Sequence, residues 1–524
     1  MVSSENVPGT TKRPGVALAA VTAVVFVTFL DTTVVSVALG AIRSDLKTDV
    51  TSLQWVVNGY TLVFACLMLA GGSLGDRWGR KRVMIAGLVI FCAGSVVSAL
   101  AASVPALIAG RMIMGVGAAA SEPGTLSVLR HIFPGEQARA KALGVWAAAS
   151  GLALAAGPVL GGVLVHSYGW RSIFWFNLVI GAVALVAALW SVPESADPRP
   201  EPIDWAGALL GAGFLGAVIY AATSGEEVGY TAPSVIVLFV VGAIALIGFV
   251  VVEQRVRAPI LDFRYLRLPT VRSALVVAFA VYFGIFSIFF FTALYLQVMQ
   301  SYSGARTAAV FAPMAVAITI GSLVAGYWVA RHGARMPMII GCVVGAGGIL
   351  LTRFSLAESV QDVPLACAMA LAGAGFGIAV VPLTSAVMSG VPREHSGMAG
   401  AVTNTMRQVG AAFGVAILGA LVNSLLTADL RQRMTELGLP ADLQPGAVEA
   451  VERGGIPPGL EIGPYFPYLG KLNEVIETGK TAFHHGLDVA LLVSAIMILA
   501  AAAFTAFDTA SKQPSPGDRA RLPQ

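Results

Sequence analysis

Fourteen stretches of roughly twenty apolar residues, each nearly free of charge, follow one another along this chain of 524 residues. A helix rising about 1.5 Å per residue needs about 20 such residues to cross a hydrocarbon core about 30 Å thick. The stretches run over 15–39, 53–74, 82–102, 104–129, 140–165, 171–191, 204–224, 233–253, 272–298, 307–329, 336–353, 363–387, 399–422 and 486–508. A helix satisfies its own backbone polar groups in lipid, so the sequence predicts an all-α polytopic membrane protein with fourteen spans. Composition agrees: 56% hydrophobic and 12% charged residues leave too little polar surface for a water-soluble domain of this length.

Residues 72–82 interrupt this pattern with GSLGDRWGRKR, in which five of eleven side chains are charged and four of those are basic. Short loops dense in Lys and Arg stay on the cytoplasmic side. This loop is therefore placed inside, and an even number of spans puts both termini inside with it. Of 33 Lys and Arg, 21 then fall on the inner side and 10 on the outer, five of those ten in one long loop. Long loops follow the rule poorly, so the contrast supports a plasma-membrane protein with cytoplasmic termini. The net charge of +4 reflects this topology. It is not gathered on one folded face, as nucleic-acid binding requires.

Several chemistries are excluded. Cys66, Cys92, Cys342 and Cys367 lie in apolar spans at spacings that match no zinc or disulfide framework. His131, His166, His332, His395, His484 and His485 map to loops or helix ends. The GKT at 479–481 has Glu474 where a phosphate-binding loop needs its first glycine. No metal, cofactor or enzymatic activity is expected. The first span is too long for the apolar core of a signal peptide and is expected to stay as an anchor.

Two polar segments separate spans. Residues 254–271, with Arg255, Arg257, Arg264 and Arg267 beside Pro259 and Pro269, read as a cytoplasmic linker. Residues 423–485 read as an extracellular insertion with little helical periodicity outside LLTADLRQRMTEL. The inner loop after the tenth span, GYWVARHGAR at 326–335, aligns with the opening island: Gly72, Arg77, Gly79 and Lys81 face Gly326, Arg331, Gly333 and Arg335. Either internal duplication or chance, since Gly and Arg are common in inner turns, accounts for the match, with duplication the leading expectation. Asp76 has no counterpart, since Ala330 stands there.

These motifs resemble the major facilitator superfamily, in its fourteen-span drug/proton antiporter branch of bacterial multidrug and antibiotic efflux permeases. The likeness rests on GSLGDRWGRKR, on LDTTVVSVAL at 30–39, and on Arg111, Gly115 and Gly117 in span four, where Met114 departs from the usual polar residue. It rests also on ALAAGPVLGG at 153–162, the signature associated with antiporters, and on WRSIFWFN at 170–177, where Val179 replaces a usual proline. The resemblance implies a cytoplasmic tail at 1–14, a six-helix bundle at 15–191, two inserted spans and a linker at 192–271, a second six-helix bundle at 272–508 interrupted by the loop 423–485, and a tail at 509–524. It also implies alternating access by rocking of the bundles.

Asp31 is the one carboxylate deep in span one, where an ionised acid is costly unless it lines a cavity or finds a partner. Arg111 lies at the same depth in span four, so the two can pair, either as a static lock or as a proton-coupled switch. Glu122 precedes Pro123 in the inner part of span four. It is a second proton-coupling candidate, unless it snorkels to the interface or pairs with Arg407. Gly72, Asp76, Arg77, Gly79, Arg80 and Lys81 form a candidate cytoplasmic gate, with Asp76 capping a facing helix or pairing with Arg80. Ala149, Ala153, Gly157 and Gly161 recur every four residues in span five and, with Pro158 and Gly162, give a bare face suited to movement or to tight packing.

Phe279, Phe283, Phe286 and Phe290, with Tyr282 nearby, form a stripe in span nine that faces either substrate or lipid. Asn404, Arg407 and Gln408 form a polar turn in span thirteen, and Gly410 and Gly414 allow close helix approach. The leading expectation is a monomeric exporter that exchanges protons for a small amphipathic organic compound. A lipid transporter of the same fold and a non-transporting membrane sensor are the alternatives.

Overall fold

The computed structural model describes residues 14–48, 50–195, 204–256, 259–296, 300, 302, 304–356, 361–392, 395–440, 442–444, 446 and 469–510. Fourteen helices of 20 or more residues and one of four carry the fold, with no strand among the described residues. They are α1 (Pro14–Leu46), α2 (Val50–Trp78), α3 (Arg80–Ala99), α4 (Val104–Ile132), α5 (Glu136–Tyr168), α6 (Arg171–Ser191), α7 (Trp205–Val228) and α8 (Pro233–Glu253). There follow α9 (Phe263–Leu266), α10 (Pro269–Leu294), α11 (Gly304–His332), α12 (Arg335–Ser355), α13 (Asp362–Gly390), α14 (Ser396–Glu436) and α15 (Leu469–Ala510).

Among the described residues, twelve helices are long and apolar enough to cross a membrane, and α2, bent by 52° between Trp55–Met68 and Ala70–Trp78, makes a thirteenth if its halves count as one span. The chain is an integral membrane protein with twelve to thirteen candidate spans. α5, rich in Ala and Gly, is the long helix outside that number.

The segment 423–485 differs from its expected loop. α14 runs on to Glu436 and α15 begins at Leu469. Leu426, Leu430 and Met434 are buried at intervals of four, so this stretch is an amphipathic helix whose apolar stripe packs rather than an irregular insertion. His484 and His485 consequently lie inside α15, with His485 Nδ1 3.0 Å from Asp429 Oδ2.

α1 to α6 pack as one bundle and α10 to α15 as another. Small residues bring the backbones together within each: Gly87 meets the Gly117 carbonyl between α3 and α4, and Gly341 meets Gly375 between α12 and α13. The bundles meet where α5 packs on α11 and α13 and where α14 packs on α2 and α4. The hairpin of α7 and α8 rests against α2, with α7 also reaching α14. The end of the molecule that carries Gly72–Arg82 is called the inner end below.

Candidate functional site

Asp31 is wholly buried in the first bundle. Its carboxylate pairs with the Arg111 guanidinium from α4 and accepts a hydrogen bond from Asn177 Nδ2 of α6 at 2.7 Å. Arg111 also donates through Nε to the Val56 carbonyl of α2 at 2.9 Å and stacks over Tyr60, 4.5 Å from the ring centroid. Four helices therefore converge on one ion pair, between charges whose equal depth in their spans permits the pairing. Asn177 was read only as part of a motif. Its signal is a lone amide in an otherwise apolar span, which needs a partner once buried.

At the inner end, Asp76 serves both roles weighed for it. Its Oδ1 accepts from Arg80 Nε (2.9 Å) and Nη2 (2.7 Å) and from the Gly397 amide (3.0 Å), while Oδ2 accepts from the Met398 amide (3.2 Å). A carboxylate of the first bundle thus caps the N-terminus of α14 in the second, where the helix dipole favours negative charge. Gly72 makes this approach possible, because a Cβ there would lie 2.7 Å from both the Ala401 Cβ and the Gly397 carbonyl oxygen. Lys81 donates through Nζ to the Leu189 carbonyl (2.8 Å) and so belongs to the α3–α6 contact.

The aligned segments share one geometry. Gly79 and Gly333 both adopt positive φ, 105° and 76°, in the turns from α2 to α3 and from α11 to α12. Gly326 packs on Ala140 and Gly144 of α5 as Gly72 packs on α14. Ala330 stands in place of an acid, and Lys141 lies over the Tyr327 ring, 5.0 Å from its centroid, at that seam.

Sequence reading missed two arginines that also cross between bundles here. Arg130 donates to the carbonyls of Val391 (2.6 Å) and Pro392 (3.1 Å), and Arg139 to Ser389 Oγ (3.4 Å). Charge placement assigned both only to the inner side, because partner choice leaves no trace in spacing.

The third assembly lies where α4 meets α14. Glu122 is 1% exposed, and neither of its carboxylate oxygens has a hydrogen-bond partner among the described residues. It is buried rather than snorkelled. The cation whose field acts on it is Arg407. That guanidinium donates to Asn404 Oδ1 (3.1 Å) and to the Thr384 hydroxyl, and sits between the rings of Trp146 and Tyr282, 5.1 and 5.4 Å from their centroids. Trp146 is fixed in turn by donating to Thr125 Oγ1 (3.1 Å), one turn beyond Glu122 on α4. Gly400 lets α14 come against the Pro123 carbonyl, since a Cβ there would lie 3.1 Å from the carbonyl oxygen. A charged side chain at this depth is expensive, and the site holds one acid and one base that face each other without a direct ion pair.

Of the remaining candidates Tyr282 joins this site, and the others lie apart from it. Phe279 and Phe283 pack with each other and Phe279 with Phe413, Tyr282 faces Arg407, and Phe290 is exposed on the flank. Gly157 faces Thr33 of α1 inside the first bundle, and Ala153 is buried, whereas Gly144 and Gly151 of α5 meet α11. The side chains of Phe286 and Pro158 lie outside the described residues.

Two helical bundles with polar groups at their seams define a polytopic membrane protein of transporter architecture. The Major Facilitator Superfamily model matches residues 21–415, and the chain belongs to that family; it is a transporter and not an enzyme. It is 31% identical over 470 residues to the multidrug resistance protein Stp of Mycobacterium tuberculosis, covering 90% of this chain and 87% of that protein. It is 34% identical over 424 residues to the methylenomycin A resistance protein of Bacillus subtilis, covering 81% and 91% respectively. The fold is similar to that of the human organic anion transporter MFSD10, with a TM-score of 0.60, 15% identity, and coverage of 93% of this chain and 99% of that one.

Proposed function

We propose that this protein exports small amphipathic organic compounds from the cell in exchange for protons. It would do so as a monomer in the plasma membrane, with fourteen spans counting α5 and with both termini cytoplasmic. The observation that carries the reading is Glu122, a buried acid without hydrogen bonds placed opposite Arg407 at a seam between bundles. Relatives named for multidrug and methylenomycin A resistance support the choice of cargo.

The direction of coupling follows from charge. When Glu122 gives its proton to the cytoplasm, the site can bind a cation or a neutral hydrogen-bond donor between the acid and the rings of Trp146 and Tyr282. When a proton arrives from outside, that attraction is lost and the cargo leaves. An anion would instead bind Arg407 with Glu122 protonated, and cargo and proton would travel together. Antiport therefore goes with cationic or neutral amphiphiles. Asp31, with both oxygens engaged, serves in this scheme as the lock of the first bundle.

Asp76 and Gly72 form the inner gate. Gly72→Val places a side chain against Gly397 and Ala401 and is expected to slow export about tenfold, equivalent to about 1.4 kcal/mol of bias against closure. Initial dye-efflux rates normalised to the amount of membrane protein check this, and an unchanged rate would remove the gate. The overall reading is tested by efflux of fluorescent cations from cells expressing the protein, with and without a protonophore. Protonophore-sensitive export is expected; export indifferent to the protonophore overturns it.

A further inference from the structure

Two acids between the inner ends of α7 and α8 have no task in this transport scheme. Asp204, the N-cap of α7, accepts from the Gly207 amide through Oδ1 at 2.8 Å. Glu253, the last residue of α8, accepts from the Leu261 amide through Oε2 at 3.0 Å. Each acid thus spends one oxygen on backbone. The other oxygens, Asp204 Oδ2 and Glu253 Oε1, have no hydrogen-bond partner among the described residues, although the residues are only 7% and 4% exposed. Both point to one place: a Cβ on Gly207 would lie 2.5 Å from Asp204 Oδ2 and 2.6 Å from Glu253 Oε1.

Among the described residues, the charged groups acting on Glu253 are Asp204 and Asp262, both acidic. Asp262 is itself paired with Arg264 at 2.7 Å and faces His395. Two carboxylates buried together, with no cation between them among the described residues, repel, and one proton shared between them removes the repulsion and fills both vacant oxygens. A metal ion would demand more oxygen ligands than these two.

We propose that Asp204 and Glu253 form a second proton-binding site, separate from Glu122, in which one proton is held between Oδ2 and Oε1. The site fastens the inserted hairpin to the linker that leads through α9 to α10 and touches the start of α14 on its way. Leu261 docks on Glu253, the next amide, of Asp262, reaches the Met398 sulfur at 3.5 Å, and Tyr265 packs on His395 with ring centroids 6.2 Å apart. Met398 and His395 stand at the helix start that Asp76 caps. Loss of the proton puts two like charges under that joint and loosens the linker.

The test uses the full chain in lipid nanodiscs with Glu122→Gln as background, so that the central acid is silent. The infrared carbonyl band of a protonated carboxyl group is compared with and without Glu253→Gln, and with Asp204→Asn. Both amides keep the backbone acceptor, so the fold is retained. The expected difference spectrum shows a protonated carboxyl at neutral pH that vanishes on alkalinisation. In parallel, tryptic cutting at Arg264 and Arg267 should accelerate with rising pH relative to the Glu253→Gln protein. No carboxyl difference at any pH overturns the proposal. Loss of the band on adding sodium or magnesium at constant pH overturns it too, by showing a cation site.

Discussion

Arg111→Ala is expected to strip most of the folded protein from the membrane. The substitution leaves the Asp31 carboxylate with Asn177 alone, fully buried among α1, α4 and α6. Removing one partner of a buried ion pair costs about 3–5 kcal/mol, most of it the stranded charge, which is a large part of the total stability of a typical domain. It also removes the bond to the Val56 carbonyl and the stacking on Tyr60, so α2 loses its tie to the same point. Arg111→Lys should rescue little, because an ammonium cannot reach carboxylate, carbonyl and ring together.

The paired change Asp31→Asn with Arg111→Gln removes both charges and should recover much of the loss, since a neutral hydrogen-bonded pair pays no ionic desolvation. Thermal midpoints measured on detergent extracts complete the double-mutant cycle. The same cycle separates lock from switch. If the doubly neutral protein still drives protonophore-sensitive export, the pair is a lock; if it folds and fails to couple, Asp31 carries the proton and the role given to Glu122 falls.

The contrast between these two acids shows what a sequence conveys. Depth along a span is a linear quantity, so Asp31 and Arg111 could be matched by counting residues from the helix ends. Asp76 could be tied to a helix start because the glycines around it signal a tight turn between two spans. The repeat was legible for the same reason, and the shared positive φ of Gly79 and Gly333 is its backbone counterpart.

What could not be read is rotation about the helix axis. The four-residue spacing of Ala149 to Gly161 identifies a bare face but not the neighbour that uses it; Gly157 turns to α1, and Gly144 and Gly151 supply the contact with α11. The stripe of phenylalanines splits likewise, Phe283 buried and Phe290 exposed, because a fully apolar helix has no polar side to fix its orientation. The cradle of Trp146, Tyr282 and Thr384 around Arg407 draws on three helices distant in sequence. The long helical ends at 423–436 and 469–485 were hidden by Arg and Glu side chains, which mark the exit from the bilayer but do not end a helix.

Glu122→Gln should leave a folded protein that no longer concentrates its cargo. Neither oxygen of Glu122 makes a hydrogen bond in this state, so the amide loses no contact; burying its unpaired N–H groups costs about 1–3 kcal/mol, and Glu122→Met provides an apolar control of similar size. The membrane potential supplies about 2.3 kcal/mol per charge per 100 mV. One net charge moved per cycle therefore sustains a gradient of about 40-fold. Without an exchangeable proton that gradient should collapse towards unity, while exchange of labelled for unlabelled cargo, which needs only the rocking of the bundles, persists. Cargo binding gives the sign of the coupling: a proton on Glu122 competes with cargo, so the Kd of the parent protein should rise as pH falls, and that of Glu122→Gln should stay flat. The measurements are accumulation in inside-out vesicles energised by respiration, and a binding titration across pH. A Glu122→Gln protein that keeps a protonophore-sensitive gradient would move the proton to another acid and leave Glu122 as packing against Arg407.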